Sequence, residues 1–399
     1  MSEAAAPAVP TFPIPRTCPF ASSAEYAELR DQEPISRIRM PHGTEAWLIT
    51  KHEHARELLV HPDASKNFFR PGYPAMAPQQ SAFIRKNEGL LVPMDPPEHS
   101  VYRRMLAPEL SVPAANRLRP YVEQLVAEHI DRMLAGERPV DLVAAFALPI
   151  PALTICHLLG IPYEGQRFFQ IPPLDTPYEE RRAIQGEVRE CLAEHMADRV
   201  RNPRDDMLSR LAQRYHDAGF TDPDTLNRLG LNVLLGGGRL AVTAMISLGV
   251  LALFEHPEQR AELVADPGLA PGAVEEMIRW LSVSDTSTNR IATADIEIGG
   301  VLIKDGDGMV IPNDSANHDP DQFDRPEDLD LHRDAKSHLA FGDGPHQCIG
   351  QHLCRMILEV AYPALFQRIP GMRLAEPMEG LPFEYGAVPF TVRSAMVTW

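Results

Sequence analysis

The chain has 399 residues, 44% of them hydrophobic and 23% charged, with 55 acidic against 38 basic side chains and a formal net charge of −17. That excess of acid excludes a nucleic-acid binder, whose phosphate contacts need dense lysine and arginine. Five scattered cysteines, Cys18, Cys156, Cys191, Cys348 and Cys354, do not make the even set of a secreted disulfide framework and fit a reducing cytoplasm.

The N-terminal MSEAAAPAVPTFPIPRTCPF has no basic segment followed by an apolar one, so it reads as neither signal nor anchor. Its prolines predict an extended arm over residues 1–20. Apolar residues at three- and four-residue spacing predict helices in SAEYAELRDQ, AANRLRPYVEQLVAEHIDRML, DLVAAFALPIPALTICHLLG, EERRAIQGEVRECLAEHMADRV and GAVEEMIRWL. ISRIRM, EAWLIT, ATADIEIGGVLI and GMVI alternate or are β-branched and predict strands.

LNVLLGGGRLAVTAMISLGVLALF, residues 231–254, imitates a membrane span. A span needs roughly 20 apolar residues, and three glycines with Arg239 leave about 15 uninterrupted from Leu240. It reads instead as a buried helix, capped by Asp222, starting at Pro223 and ending before Pro257, about 33 residues or roughly 50 Å long. No repeat, low-complexity tract or long linker divides the sequence. The pattern predicts a single, mainly α domain over residues 1–399 with small β-sheets.

The stretch LAFGDGPHQCIGQHLC, residues 339–354, packs three glycines, two cysteines and two histidines ahead of an apolar helical pattern. Cys348 falls where a tight loop turns into a helix, so the helix dipole and loop amides would stabilise its thiolate as a ligand. A buried, inert cysteine is the bland alternative. Zinc is another, with His346, Cys348, His352 and Cys354 as donors, although four ligands crowded into one turn could hardly close a tetrahedron. A dinucleotide loop is weaker, since G-x-G-x-x-G fails at Gln347.

FGDGPHQCIG, residues 341–350, resembles the haem-binding loop F-G-x-G-x-H-x-C-x-G of the cytochrome P-450 superfamily at every defining position. The likeness continues in the family's order through DPPEHSVYR, the long glycine-bearing helix, AVEEMIR, NRIATAD and ANHDPDQFDRPEDLDLHR. The arm RTCPF is similar to that of the soluble bacterial branch. The resemblance implies the P-450 fold, with haem b (iron protoporphyrin IX) between the long central helix and the helix after the cysteine. Cys348 would be the axial thiolate, whose electron donation favours O–O cleavage. Phe341 would pack beside the sulfur, with Gly342 and Gly350 letting the backbone pass close to the porphyrin. His99, Arg103, Arg290 and His346 match propionate-holding positions, as cationic donors should. Glu276 and Arg279 match the E-x-x-R pair, with Arg333 as third partner in a structural role.

The distal helix departs from the family. Where an [AG]-G-x-[DE]-T segment usually relays protons to the reacting oxygen, this chain reads Gly237, Gly238, Arg239, Leu240, Ala241, so both relay residues are gone. Thr243 lies about 200° round the helix from Ala241 and cannot simply substitute. Protons must then come from the substrate or water it orders, the preferred reading. Otherwise Arg239 holds a carboxylate near the iron for peroxide use, or the reaction is coupling or another non-hydroxylating oxidation. A non-catalytic haem-binding sensor is the alternative from another class.

The resemblance places the pocket roof in residues 68–92, the long helix, 283–289 and 387–390. The polar Asp285, Thr286, Ser287 and Thr288 hint at a functionalised, secondary-metabolite-like molecule. Further expectations are dioxygen as co-substrate, and a ferredoxin with an NAD(P)H-dependent ferredoxin reductase docking on bases such as Arg103, Arg104 and Arg355. The protein is expected to be a cytoplasmic monomer without membrane contact.

Overall fold

A computed structural model describes residues 9–76, 91–162, 178–235, 238–285 and 287–399. The N-terminal arm reaches a sheet at once: Thr11 bridges Arg39, and Phe12 and Ile14 are buried. Helix α1 (Ala24–Gln32) leads into β1 (Ile35–Arg39) and β2 (Glu45–Ile49), paired antiparallel with Ile35 opposite Ile49. Next come α2 (His52–Val60), β3 (Ala64–Ser65), α3 (Glu98–Leu106), α4 (Val112–Ala135) and β4 (Val140–Asp141). The run DLVAAFALPIPALTICHLLG, predicted as one helix, is a wide π turn over Val143–Ala147 followed by α5 (Pro149–Leu159). Pro149 lacks an N–H and suits the first helical position, so the break falls there. Helices α6 (Tyr178–Arg201) and α7 (Met207–Asp217) complete the first half.

The predicted long helix appears as α8 (Pro223–Leu235) and α9 (Gly238–Glu255), with both outer ends where the sequence put them. The Asp222 carboxylate accepts the N–H groups of Asp224 and Thr225 at 3.2 and 3.0 Å, which satisfies orphan donors of the first turn. Helices α10 (Pro257–Ala265) and α11 (Ala270–Leu281) follow, then β5 (Arg290–Ala292), the hairpin β6 (Ile296–Ile298) and β7 (Val301–Ile303), β8 (Gly308–Val310) and α12 (Asn313–Asn317). Helix α13 (Gln351–Arg368) precedes the short strands β9 (Arg373–Leu374), β10 (Phe383–Glu384), β11 (Thr391–Val392) and β12 (Met396–Thr398). The largest sheet runs β1-β2-β8-β5-β3, with β2 and β8 parallel and its other pairs antiparallel.

The main core is helical. Every residue of α9 from Val242 to Leu253 is buried, and α5, α11 and α13 pack against it. Each buried aliphatic side chain there contributes about 1.5–3 kcal/mol. Gly249 lets α9 and α13 touch: a Cβ on it would stand 2.2 Å from the Tyr362 hydroxyl, which donates to the Met245 carbonyl at 2.6 Å. The helix Gly238–Glu255 is long and apolar enough to cross a membrane, but 67% of its apolar window is buried inside the protein.

Glu276 and Arg279 of α11 are fully buried and pair at 2.7 and 2.8 Å through two guanidinium nitrogens. Arg333 Nε adds a third bond to Glu276 at 3.0 Å. Arg279 also donates to the carbonyls of Asn317 at 2.7 Å and Pro326 at 2.9 Å, so the buried charges are hydrogen-bonded as well as paired. This network ties the segment before the cysteine loop to α11, which packs on α13.

Candidate haem-thiolate site

The residues 338–350 form a loop built for one cysteine. Gly342 and Gly344 hold φ of 67° and 68°, a left-handed backbone that favours glycine. The turn closes through Gly342 N–H to the Leu339 carbonyl and Cys348 N–H to the Phe341 carbonyl, both 2.8 Å. The amides of Gly350 and Gln351, at the start of α13, donate to the Cys348 sulfur, as the turn-to-helix position predicts. Burial outweighs them and pushes the thiol pKa up. Yet Cys348 is exposed to solvent rather than enclosed in the packed core. A Cβ on Gly350 would meet nothing within 4 Å, which marks open space on the same side.

Phe341 is fixed from behind. The Arg355 guanidinium lies 4.6 Å from its ring centroid and pairs with Glu275 at 3.0 Å, and His338 bonds the same carboxylate at 3.0 Å. Burial alone would push the Glu275 carboxyl up, but hydrogen bonds from His338 and Arg355 outweigh it and hold it at about 2.

His99, Arg103, Arg290 and His346 converge from α3, β5 and the loop. The His99 and His346 rings are 4.3 Å apart. Arg103 Nη2 donates to the Gln347 carbonyl at 2.6 Å, and Arg290 Nη1 to the carbonyls of Thr288 and Asn289 at 2.8 and 3.0 Å. Burial, and then the Arg103 charge, lowers His99 to about 4. Burial, and then Arg290 and His99, lowers His346 to about 2. Two buried polar atoms, His99 Nδ1 and Arg290 Nε, have no hydrogen-bond partner among the described residues. A buried and a half-buried guanidinium group beside imidazoles whose protonation they resist, with His99 Nδ1 and Arg290 Nε unpaired, are arranged for an anion from outside the chain. Two propionates beside a thiolate-ligated iron meet that need. Zinc does not: among the described residues no three His, Cys, Asp or Glu side chains are grouped to hold a metal ion.

At the start of α9 Gly238 is exposed and Arg239, Leu240 and Ala241 are half-buried, whereas Val242 to Leu253 are all buried. Gly237 lies outside the described residues. Ala241, Met245 and Gly249 are spaced by one helical turn each and form the face turned to Tyr362 of α13. Arg239 is about 200° from Ala241, on the other side of the helix, and its charge acts on Cys156 of α5. Thr243 shares that side; its hydroxyl is buried and without a partner among the described residues.

Other expected residues serve the protein itself. Asp285 accepts the Asp314 N–H at 2.7 Å and the Tyr26 hydroxyl at 3.4 Å, Thr288 donates to the Ile311 carbonyl at 2.5 Å, and Ser287 to the Ser284 carbonyl at 2.9 Å. Thr286 lies outside the described residues. The polarity of this segment therefore does not indicate a polar ligand. Of the three arginines expected to form a docking patch, Arg355 is committed to Glu275 and Arg103 to Gln347, which leaves Arg104 exposed. Residues 77–90 of the expected pocket roof are likewise outside the described residues. Sequence reasoning missed Glu275, His338 and Lys66, since nothing in their spacing distinguishes them from surface charge.

A mainly helical fold with a solvent-accessible cysteine in a glycine-rich loop, beside two arginines and two histidines that leave His99 Nδ1 and Arg290 Nε unpaired, points to a haem-thiolate protein. Comparison with known proteins agrees. The cytochrome P450 family model matches residues 268–369. The chain is 41% identical to cytochrome P450 105A3 of Streptomyces carbophilus, covering 98% of this chain and 96% of that one. It is 39% identical to pentalenic acid synthase of Streptomyces avermitilis, covering 97% of each. The crystal structure of cytochrome P450 MoxA from Nonomuraea recticatena matches with a TM-score of 0.93 at 41% identity, covering 98% of both chains. The chain belongs to the cytochrome P450 family, is a haem-containing monooxygenase acting on small organic molecules, and is an enzyme rather than a sensor.

Proposed function

We propose that the chain oxidises a secondary-metabolite-like substrate that itself supplies, or orders water to supply, the protons its distal helix lacks. In this reading Cys348 ligates the iron, Phe341 shields the sulfur, Gly342 and Gly350 admit the porphyrin, and His99, Arg103, Arg290 and His346 hold the propionates. Haem bound there supplies the oxygen activation that no side chain of the site offers. The observation that carries the proposal is the apolar pair Leu240 and Ala241 on the accessible first turn of α9, with the Thr243 hydroxyl buried on its far side. Neither residue can deliver a proton, so catalytic acidity has to enter with the ligand. The same reasoning leaves coupling or another non-hydroxylating oxidation open to the enzyme. Peroxide use through Arg239 has less support, because its position is about 200° round the helix from Ala241 and its charge acts on Cys156.

In keeping with this, the chain is one domain, with electrons from a ferredoxin and its NAD(P)H-dependent reductase, dioxygen as co-substrate, a cytoplasmic location and a monomeric state. The test is a screen of biosynthetic intermediates for a low-spin to high-spin shift, then product analysis with ferredoxin partners and separately with peroxide. Each substrate is compared with an analogue lacking its hydroxyl, phenol or carboxyl. Turnover with the ferredoxin system that the analogue loses while still binding supports the proposal. Turnover with peroxide alone, or equal turnover of the analogue, overturns it.

A further inference from the structure

Lys66, directly after β3, is only 5% exposed. Its ammonium donates to the Ser287 carbonyl at 2.5 Å and the Asn289 carbonyl at 3.2 Å, and lies 3.4 Å from the Tyr73 hydroxyl. Tyr73 in turn donates to the Asn289 carbonyl at 3.3 Å. Two carbonyls and a phenol use the three N–H groups without neutralising the charge. The nearby carboxylate, Asp95, is taken by the Ser65 hydroxyl at 2.5 Å and the Lys66 backbone N–H at 2.9 Å. Burial, and then the charge of Arg290, push the Lys66 pKa far down. A buried cation beside another cation is costly, and a neutral side chain would be cheaper at this position unless an anion shares the space.

The carbonyls that Lys66 grips flank the approach to β5. Asn289 immediately precedes Arg290, and its carbonyl also accepts Arg290 Nη1 at 3.0 Å. Lysine and arginine are therefore joined through one peptide, and His346 feels both charges. We propose that Lys66 is a positioning residue for Arg290 and a further positive charge of the propionate site, fixing the β5 entry and helping to offset the two haem carboxylates. This rests on the haem reading above and deepens it.

The test compares the holoenzyme with Lys66→Met, Lys66→Arg and Arg290→Gln, with Lys66→Gln replacing the methionine variant should that not fold. Two quantities are read besides activity: the rate of haem transfer to an acceptor apoprotein, and the ferric/ferrous midpoint potential. Lys66→Met is expected to keep the thiolate absorption signature, release haem about tenfold faster or more, as loss of outer-layer support does, and shift the potential downward. The downward sign follows because a nearby positive charge favours the reduced iron. Lys66→Arg should restore the potential. A Lys66→Met protein that is less stable but unchanged in potential and haem release would make the residue purely structural and overturn the proposal. If Arg290→Gln also changes neither quantity, the propionate assignment itself fails, and the role of Lys66 with it.

Discussion

Cys348 combines two opposing influences, amides that favour its thiolate and burial that resists it, and coordination of the proposed iron would settle that balance because a bound thiol is deprotonated outright. Cys348→Ser is expected to abolish the thiolate signature in the reduced, carbon-monoxide-bound spectrum; unchanged bands would remove sulfur as the ligand. At Glu276 the stakes are in stability. Glu276→Ala leaves Arg279 fully buried without its carboxylate, so the denaturation midpoint should report a loss of about 3–5 kcal/mol. The loop and this pair were legible in the sequence because both are local patterns, F-G-x-G-x-H-x-C-x-G and E-x-x-R. Lys66 was not, because its partners Ser287 and Asn289 lie more than two hundred positions away.

Helices α9 and α13 act as the two jaws of the site, and their spacing is set where Gly249 meets Tyr362. Gly249→Ala puts a methyl 2.2 Å from the Tyr362 hydroxyl in a fully packed interior. Overpacking of this kind costs about 1–3 kcal/mol and would separate the jaws, so the variant should show a lower melting temperature and weaker haem retention. Unaltered retention with unaltered stability would mean that this contact does not set the spacing. The length and ends of the α8–α9 helix were readable from Asp222, Pro223 and Pro257. The direction of Arg239 was not, since helical spacing gives angles between residues but no absolute face until neighbours such as Tyr362 and Cys156 are in place.

Across the whole molecule, the N-terminal arm is fastened to the later half of the chain by one polar cluster. Arg16 pairs with Asp314 at 2.6 Å and lies 5.0 Å from the Phe390 ring centroid, Ser22 bonds Asp314 at 2.8 Å, and Tyr26 reaches Asp285. Desolvation and the Asp314 carboxylate push the Asp285 carboxyl up to about 7. A raised folded-state pKa means that this contribution to stability is full below the ordinary carboxylate value and is lost as pH rises through about 7. Asp285→Asn should therefore flatten the pH dependence of the denaturation midpoint between about 4 and 7 and raise the midpoint at pH 8 relative to the parent. An unchanged slope would show that the Asp285–Asp314 pair does not titrate in that window.

The sequence by itself determined the helical class, the ends of the central helix and the cysteine loop, because periodicity, caps and short motifs are written within a few residues of one another. Only the tertiary structure decided that Asp285 is taken by Asp314 and Tyr26, that Lys66 and Arg290 share the Asn289 carbonyl, and that the Arg239 charge acts on Cys156. Those outcomes depend on which distant groups share a low-dielectric interior, where an unpaired polar atom is costly and each buried charge must find partners that folding alone brings near.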